Sequence, residues 1–136
     1  MIISLPEVAS VCSGGQLELT CTVADGLWLE WSFFLVPEGG TMARRFSRGL
    51  YSESATSYLE VNSITFTFSR ISAEGSQPLV SRLLITPVSD DLNNTEVNCT
   101  GLQASTRNTY ISSTHIKVIN ESTMISSKLL VYSCDC

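Results

Sequence analysis

Five cysteines, one histidine and a close set of three arginines are the residues of this 136-residue chain whose chemistry comes first into question. A structural zinc site takes cysteines in pairs with about two to four residues between them. Cys134-Asp135-Cys136 leaves a gap of one residue, Cys12, Cys21 and Cys99 are scattered, and only His115 could add a nitrogen, so no metal and no other cofactor is expected. Nucleophilic hydrolysis needs a base, a group that orients it and a nucleophile, converging. No Gly-x-Ser-x-Gly elbow accompanies His115, so no catalytic residue is expected and His115 reads as a half-exposed strand residue. Arg44, Arg45 and Arg48 form the one basic cluster, and guanidinium forks suit carboxylate and sulfate, which makes them a candidate contact for an acidic protein surface or acidic glycan. The plainer reading of the three is a charged strand edge that discourages aggregation. Asn93, Asn98 and Asn120 each open an Asn-x-Ser/Thr triplet and are candidate N-glycosylation sites.

The segments that must position these residues read as strands. Leu17, Leu19, Cys21 and Val23 fall on one face of an extended chain and Glu18, Thr20 and Thr22 on the other, because side chains alternate with period two. Ala24-Asp25-Gly26 supplies a turn. Leu27, Leu29, Trp31 and Phe33 then share a face, which leaves Trp28 and Phe34 on the opposite side, with Phe46 and Tyr51 expected near them. Residues 42–48 are expected as a further strand, 51–58 as a loop and 58–61 as a short edge strand. Alternation returns at Ile64, Phe66 and Phe68, then over 79–86 with Leu83 and Ile85 inward, and at 95–101 around Cys99. Over 109–119, Ile111, Ser113, His115, Lys117 and Ile119 face one way, and Ile116 and Val118 the other. The opening residues 2–11 read as an edge strand interrupted at Pro6. With no helical period of useful length and no internal repeat, one all-β sandwich over residues 1–120 accounts for the chain, and 121–136 reads as a C-terminal extension or the start of a linker.

The totals bound the partners. Hydrophobic residues at 43% and charged residues at 15% describe a globular domain. A net charge of -5 argues against nucleic acid, whose phosphates need clustered Lys and Arg. No segment approaches the roughly 18 apolar residues of a membrane span. Met1-Ile-Ile-Ser-Leu-Pro-Glu7 lacks the basic start and apolar run of a secretory signal, so the chain is expected to be a mature domain or a piece of something longer.

Trp31 lies ten residues after Cys21, and Cys99 lies 78 after it. Flanked by these alternating segments, the spacing resembles the core of the immunoglobulin superfamily, whose strand B and strand F cysteines bridge two sheets while a Trp on strand C packs on the bridge. The resemblance spans residues 15–119 and implies a two-sheet antiparallel Greek-key sandwich of immunoglobulin type, a Cys21–Cys99 inter-sheet disulfide, Trp31 in the core, and room for extra C′ and C″ strands. Two features depart from standard variable domains: Val97 stands where a tyrosine corner would have its Tyr, and the last strand lacks a Gly-x-Gly bulge. The chain is therefore similar to a divergent variable-like or intermediate-type domain, such as those of invertebrate cell-surface proteins. On that fold Cys12 would lie near the last strand, with Cys134 or Cys136 as partner, and one thiol would be left for an intermolecular bond. Paired cysteines and sequons together favour an oxidising, extracellular setting, cell-surface or secreted. The resemblance implies a non-enzymatic recognition or adhesion module that binds a protein, or a second copy of itself, through the sheet holding strands C, C′, F and G. Trp28 and Phe34 are its candidate contacts, with Arg44, Arg45 and Arg48 beside them. A structural spacer in a longer ectodomain is the alternative, and a hydrolase or metal protein on a sandwich the remote one.

Overall fold

Alternating burial decides which side of each strand becomes core, and the disulfide decides where the two resulting sheets meet. The computed structural model describes residues 3–5, 8–51, 56–72 and 78–119. In chain order its strands are β1 (Ile3–Ser4), β2 (Val8–Cys12), β3 (Leu17–Val23), β4 (Gly26–Leu35) and β5 (Arg44–Tyr51), followed by β6 (Ser57–Val61), β7 (Ile64–Arg70), β8 (Leu79–Thr86), β9 (Glu96–Gln103) and β10 (Thr109–Ile119). One sheet has the order β1-β3-β8-β7-β6 and the other β2-β10-β9-β4-β5. All pairings are antiparallel except β2 with β10, which run parallel. The sheets stack face to face, β1 against β10, β3 against β9, β8 against β4 and β7 against β5. This is a two-sheet β-sandwich, and seven of its strands stand in the A-B-E-D and G-F-C orders of the immunoglobulin architecture.

The chain changes sheet where its local chemistry permits. The edge strand expected at the N-terminus is split between the two sheets, β1 on β3 and β2 on β10, with Pro6 outside the described residues. Asn62 and Ser63 both adopt positive φ, 54° and 61°, the two-residue turn geometry that Asn accepts readily. That turn makes β6 and β7 hairpin partners. As a result β6 joins the sheet of β7, whereas variable domains add both extra strands to the sheet of C and F. Asn62 also ties three segments together: its side chain accepts from Glu38 N at 2.7 Å, donates to Val36 O at 2.9 Å and approaches Asp91 Oδ2 at 3.4 Å.

The inter-sheet bond joins Cys21 of β3 to Cys99 of β9, with Cα atoms 6.5 Å apart. Closing a loop of this length stabilises by roughly 4 kcal/mol on the chain-entropy account. Trp31 is fully buried beside it and donates its indole N–H to Ser81 Oγ at 2.9 Å, while the Ser81 hydroxyl donates to Ser69 O at 2.8 Å. Phe33 stacks on Phe66 across the sheets at 4.4 Å and on Phe46 of the adjacent strand at 5.8 Å. Each fully buried ring of this kind contributes roughly 1.5–3 kcal/mol. Cys12 is also disulfide-bonded, and its two expected partners, Cys134 and Cys136, lie outside the described residues, as does the whole of 121–136.

Leu27, expected on the inner face, is 42% exposed. The register between β4 and β9 shifts from Gly26 to Trp28, so Leu27 is the extra residue of a bulge and loses its place in the alternation. Gly26 allows the close crossing there, since a Cβ at that position would stand 2.7 Å from Leu79 Cβ. At the corner before β9, a 3₁₀ turn at Asp90–Leu92 buries Leu92. Backbone bonds from Asn94 N to Ile116 O and from Ile116 N to Thr95 O, with Asn93 Oδ1 accepting from Val118 N at 3.0 Å, hold this corner to β10 without a tyrosine.

Two inner-face hydroxyls make opposite predictions. Ser81→Ala orphans the buried Trp31 N–H and is expected to lower stability by about 1–3 kcal/mol. Thr114 Oγ1 is buried without a hydrogen-bond partner, so Thr114→Val keeps the shape, removes the uncompensated polar atom and is expected to raise stability by about 1–2 kcal/mol. Urea unfolding of both variants against the parent measures the two signs.

Candidate functional site: the outer face of the β2-β10-β9-β4-β5 sheet

Residues that alternate away from Trp31 and Cys99 build the outer face of this sheet. Register places Trp28 between Leu102 of β9 and Tyr51 of β5, and places Glu30 between Thr100 and Gly49. Ser32 lies between Asn98 and Ser47, and Phe34 pairs with Arg45. On β10 the same face carries Ile111 opposite Thr100, Ser113 opposite Asn98 and His115 opposite Glu96. Adjacent positions in such rows are about 5 Å apart, close enough for side chains to touch.

The face has an apolar end, a polar middle and a mixed end. At the apolar end the Trp28 indole reaches over Gly49: a Cβ there would stand 2.9 Å from Trp28 Nε1. Tyr51 pairs with it in register at 56% exposure, and Ile111, two strands away opposite Thr100, is 63% exposed. In the middle, Arg45 reaches past the Ser32–Ser47 pair to Glu30, Nη2 to Oε1 at 2.7 Å, and the Ser113 hydroxyl donates to Asn98 Oδ1. At the mixed end Phe34 is 52% exposed and His115 Nε2 lies 3.2 Å from Glu96 Oε2. A groove of about 410 Å³ opens beside Phe34, with Val36 and Ala43 on its apolar side and Asp91 and Glu96 on its acidic side. The outer face of the other sheet mixes Thr20, Thr22, Thr65, Thr67 and Ser69 with Val80, Leu84 and the exposed Tyr58, and holds an ion pair between Arg82 and Glu18.

Trp28, Phe34 and Tyr51 stand on the outer face, as alternation requires, but Phe46 does not join them. Its partner in register is Phe33, so it belongs to the inner side and stacks there. The three arginines expected as one patch are divided for the same reason. Arg45 is on the outer face, while Arg44 and Arg48 pair with the inward Leu35 and Trp31 and so belong to the inner side of this edge strand, Arg48 half-buried and Arg44 exposed with its guanidinium 5.7 Å from the Phe46 ring. Positions 44 and 48 share a parity that 45 lacks, so nearness in sequence separates them in space. Ile111 and Leu102 were missed as companions of Trp28. The alternation of β10 grouped Ile111 with His115, yet only strand order and register show that this group shares the outer face with Trp28, with β9 between β10 and β4.

The other candidate residues fall as follows. Asn98 sits at the centre of the outer face, Asn93 at the β9 corner, and Asn120 outside the described residues. His115 is paired with Glu96, and the nearby Ser113 hydroxyl is committed to Asn98. Among the described residues no group of three His, Cys, Asp or Glu side chains is placed to hold a metal ion, and no helix is long and apolar enough to cross a membrane. Neither a protein-family model nor a curated protein matches the chain.

Gly49→Ala tests how the indole is seated. The new methyl displaces Trp28 toward solvent while Trp31 stays buried, so tryptophan emission is expected to shift to the red with stability changing by less than about 1 kcal/mol.

Proposed function

We propose that this chain is a non-catalytic, extracellular recognition module of the immunoglobulin superfamily that binds a protein through the outer face of the β2-β10-β9-β4-β5 sheet. The observation that carries this reading is the collection of Trp28, Tyr51, Ile111 and Phe34 on one flat sheet face, each half-buried or exposed and none covered by another described segment. Aromatic side chains at low charge density are what the centres of protein interfaces are enriched in. The ion pair between Arg45 and Glu30 supplies one group of each sign in the middle of the face, which suits a partner with the same pattern, a second copy included. The strand orders and the Cys21–Cys99 bond support the superfamily reading, and the disulfide supports an oxidising setting.

Asn98 constrains the use of the face. A glycan on its amide would stand over Ser32 and Ser47, between the Trp28 and Phe34 ends, so docking requires Asn98 unmodified. Sedimentation of the unglycosylated chain tests the self-binding form of the proposal. Trp28→Ser with Phe34→Ser is expected to weaken self-association by about 100-fold or more, as loss of interface anchors does, with the circular dichroism of the fold retained. A parent chain that stays monomeric at millimolar concentration removes a second copy as the partner. Unchanged association in the folded double variant removes the face.

A further inference from the structure

The groove beside Phe34 has walls of two kinds. Where β4 ends, Phe34 and Val36 are 52% and 47% exposed, and with Ala43, just ahead of β5, they make its apolar side. On the other side Asp91 stands in the 3₁₀ turn and Glu96 opens β9, both exposed. The space between is about 410 Å³. Pockets that take a bound group run from roughly 300 to 1,000 Å³.

Two carboxylates beside an aromatic ring attract a cation, and the described chain sets none of fixed charge against them. Arg45, the register partner of Phe34, runs back along the face to Glu30. Asp91 Oδ2 has the neutral amide of Asn62 at 3.4 Å, and Glu96 has His115 at 3.2 Å, an imidazole charged only when protonated. No Lys or Arg among the described residues is ion-paired with either carboxylate, and Lys128 alone of the chain's eight lies outside them. The net charge of -5 adds a field that draws cations toward the groove. An arginine matches each wall: its aliphatic stem suits Val36 and Ala43, its plane stacks on Phe34, and its fork of N–H donors suits the two carboxylates. A lysine supplies the charge without the flat stack or the fork.

We infer that the groove is the socket for an arginine side chain presented by the protein partner. The inference rests on the outer face being a docking surface, and it names what meets the Phe34 end of that face.

The test is titration of the unglycosylated, isotope-labelled chain with Nα-acetyl-arginine N-methylamide at constant ionic strength, while the Ala43 methyl and Phe34 ring signals are followed by NMR. The expected result is a saturable shift, with none from the citrulline analogue, which has the same length and no charge. Asp91→Asn and Glu96→Gln are each expected to weaken binding by about tenfold, and Phe34→Leu, which keeps an apolar wall, to weaken it as well. Glu18→Gln, on the other sheet, is expected to leave it unchanged, and the same spectra report whether each variant is folded. A shift linear in ligand, one that citrulline reproduces, or one that persists when Asp91→Asn and Glu96→Gln are combined overturns the socket. Groove signals that move on Lys128→Gln in the free chain assign the place to the chain's own lysine and overturn the partner. Arginine binding that saturates while the Trp28→Ser, Phe34→Ser chain associates like the parent keeps the groove and removes the docking face. The reverse pair of results keeps the face and removes the groove.

Discussion

Where Trp31 gives its indole proton to Ser81, the two sheets are held at one separation and in one alignment. The Cys21–Cys99 bond alone would fix a point and leave rotation about it. The hydrogen bond adds a second point one strand over, on the pair β4 and β8, and the stacked rings of Phe33 and Phe66 add a third. The rest follows from parity. Once Trp31 and Cys99 face inward, every residue two positions along β4, β5, β9 and β10 has its side assigned, and Trp28 and Phe34 have nowhere to go but the outer face.

Parity also explains why adjacent residues of like chemistry serve different places. Arg44, Arg45 and Arg48 share a charge, but Arg45 crosses the outer face to Glu30 while the other two lie on the inner side of the edge strand, Arg48 half-buried and Arg44 exposed. Phe33 and Phe34 divide in the same way, one into the core and one toward solvent. A strand offers two chemically independent surfaces, and β5 uses both.

Much of the fold was legible from residues. Strands β3, β7, β8 and β10 follow from alternation that no other period fits, and Cys21, Trp31 and Cys99 placed the joining point of the sheets. Less was legible where a single residue alters the count or the pairing. The bulge at Leu27 depends on a register that only the partner strand reveals. The β6 hairpin depends on positive φ at Asn62 and Ser63, and Ser gives little notice of that conformation. The face was half legible: β4 showed Trp28 and Phe34, but Ile111 and Leu102 come from strands some seventy to eighty residues downstream.

The split first strand gives the sandwich a covalent tie at one flank. β1 is sewn to one sheet and β2 to the other, so on that flank a few consecutive residues bind both leaves together. On the opposite flank the outermost strands β5 and β6 belong to different sheets. The chain thus passes from one leaf to the other at both flanks, between β1 and β2 and again between β5 and β6. A load that parts the leaves meets the backbone on either side, and between the two flanks the Trp31–Ser81 bond and the Cys21–Cys99 bridge limit how far the sheets separate.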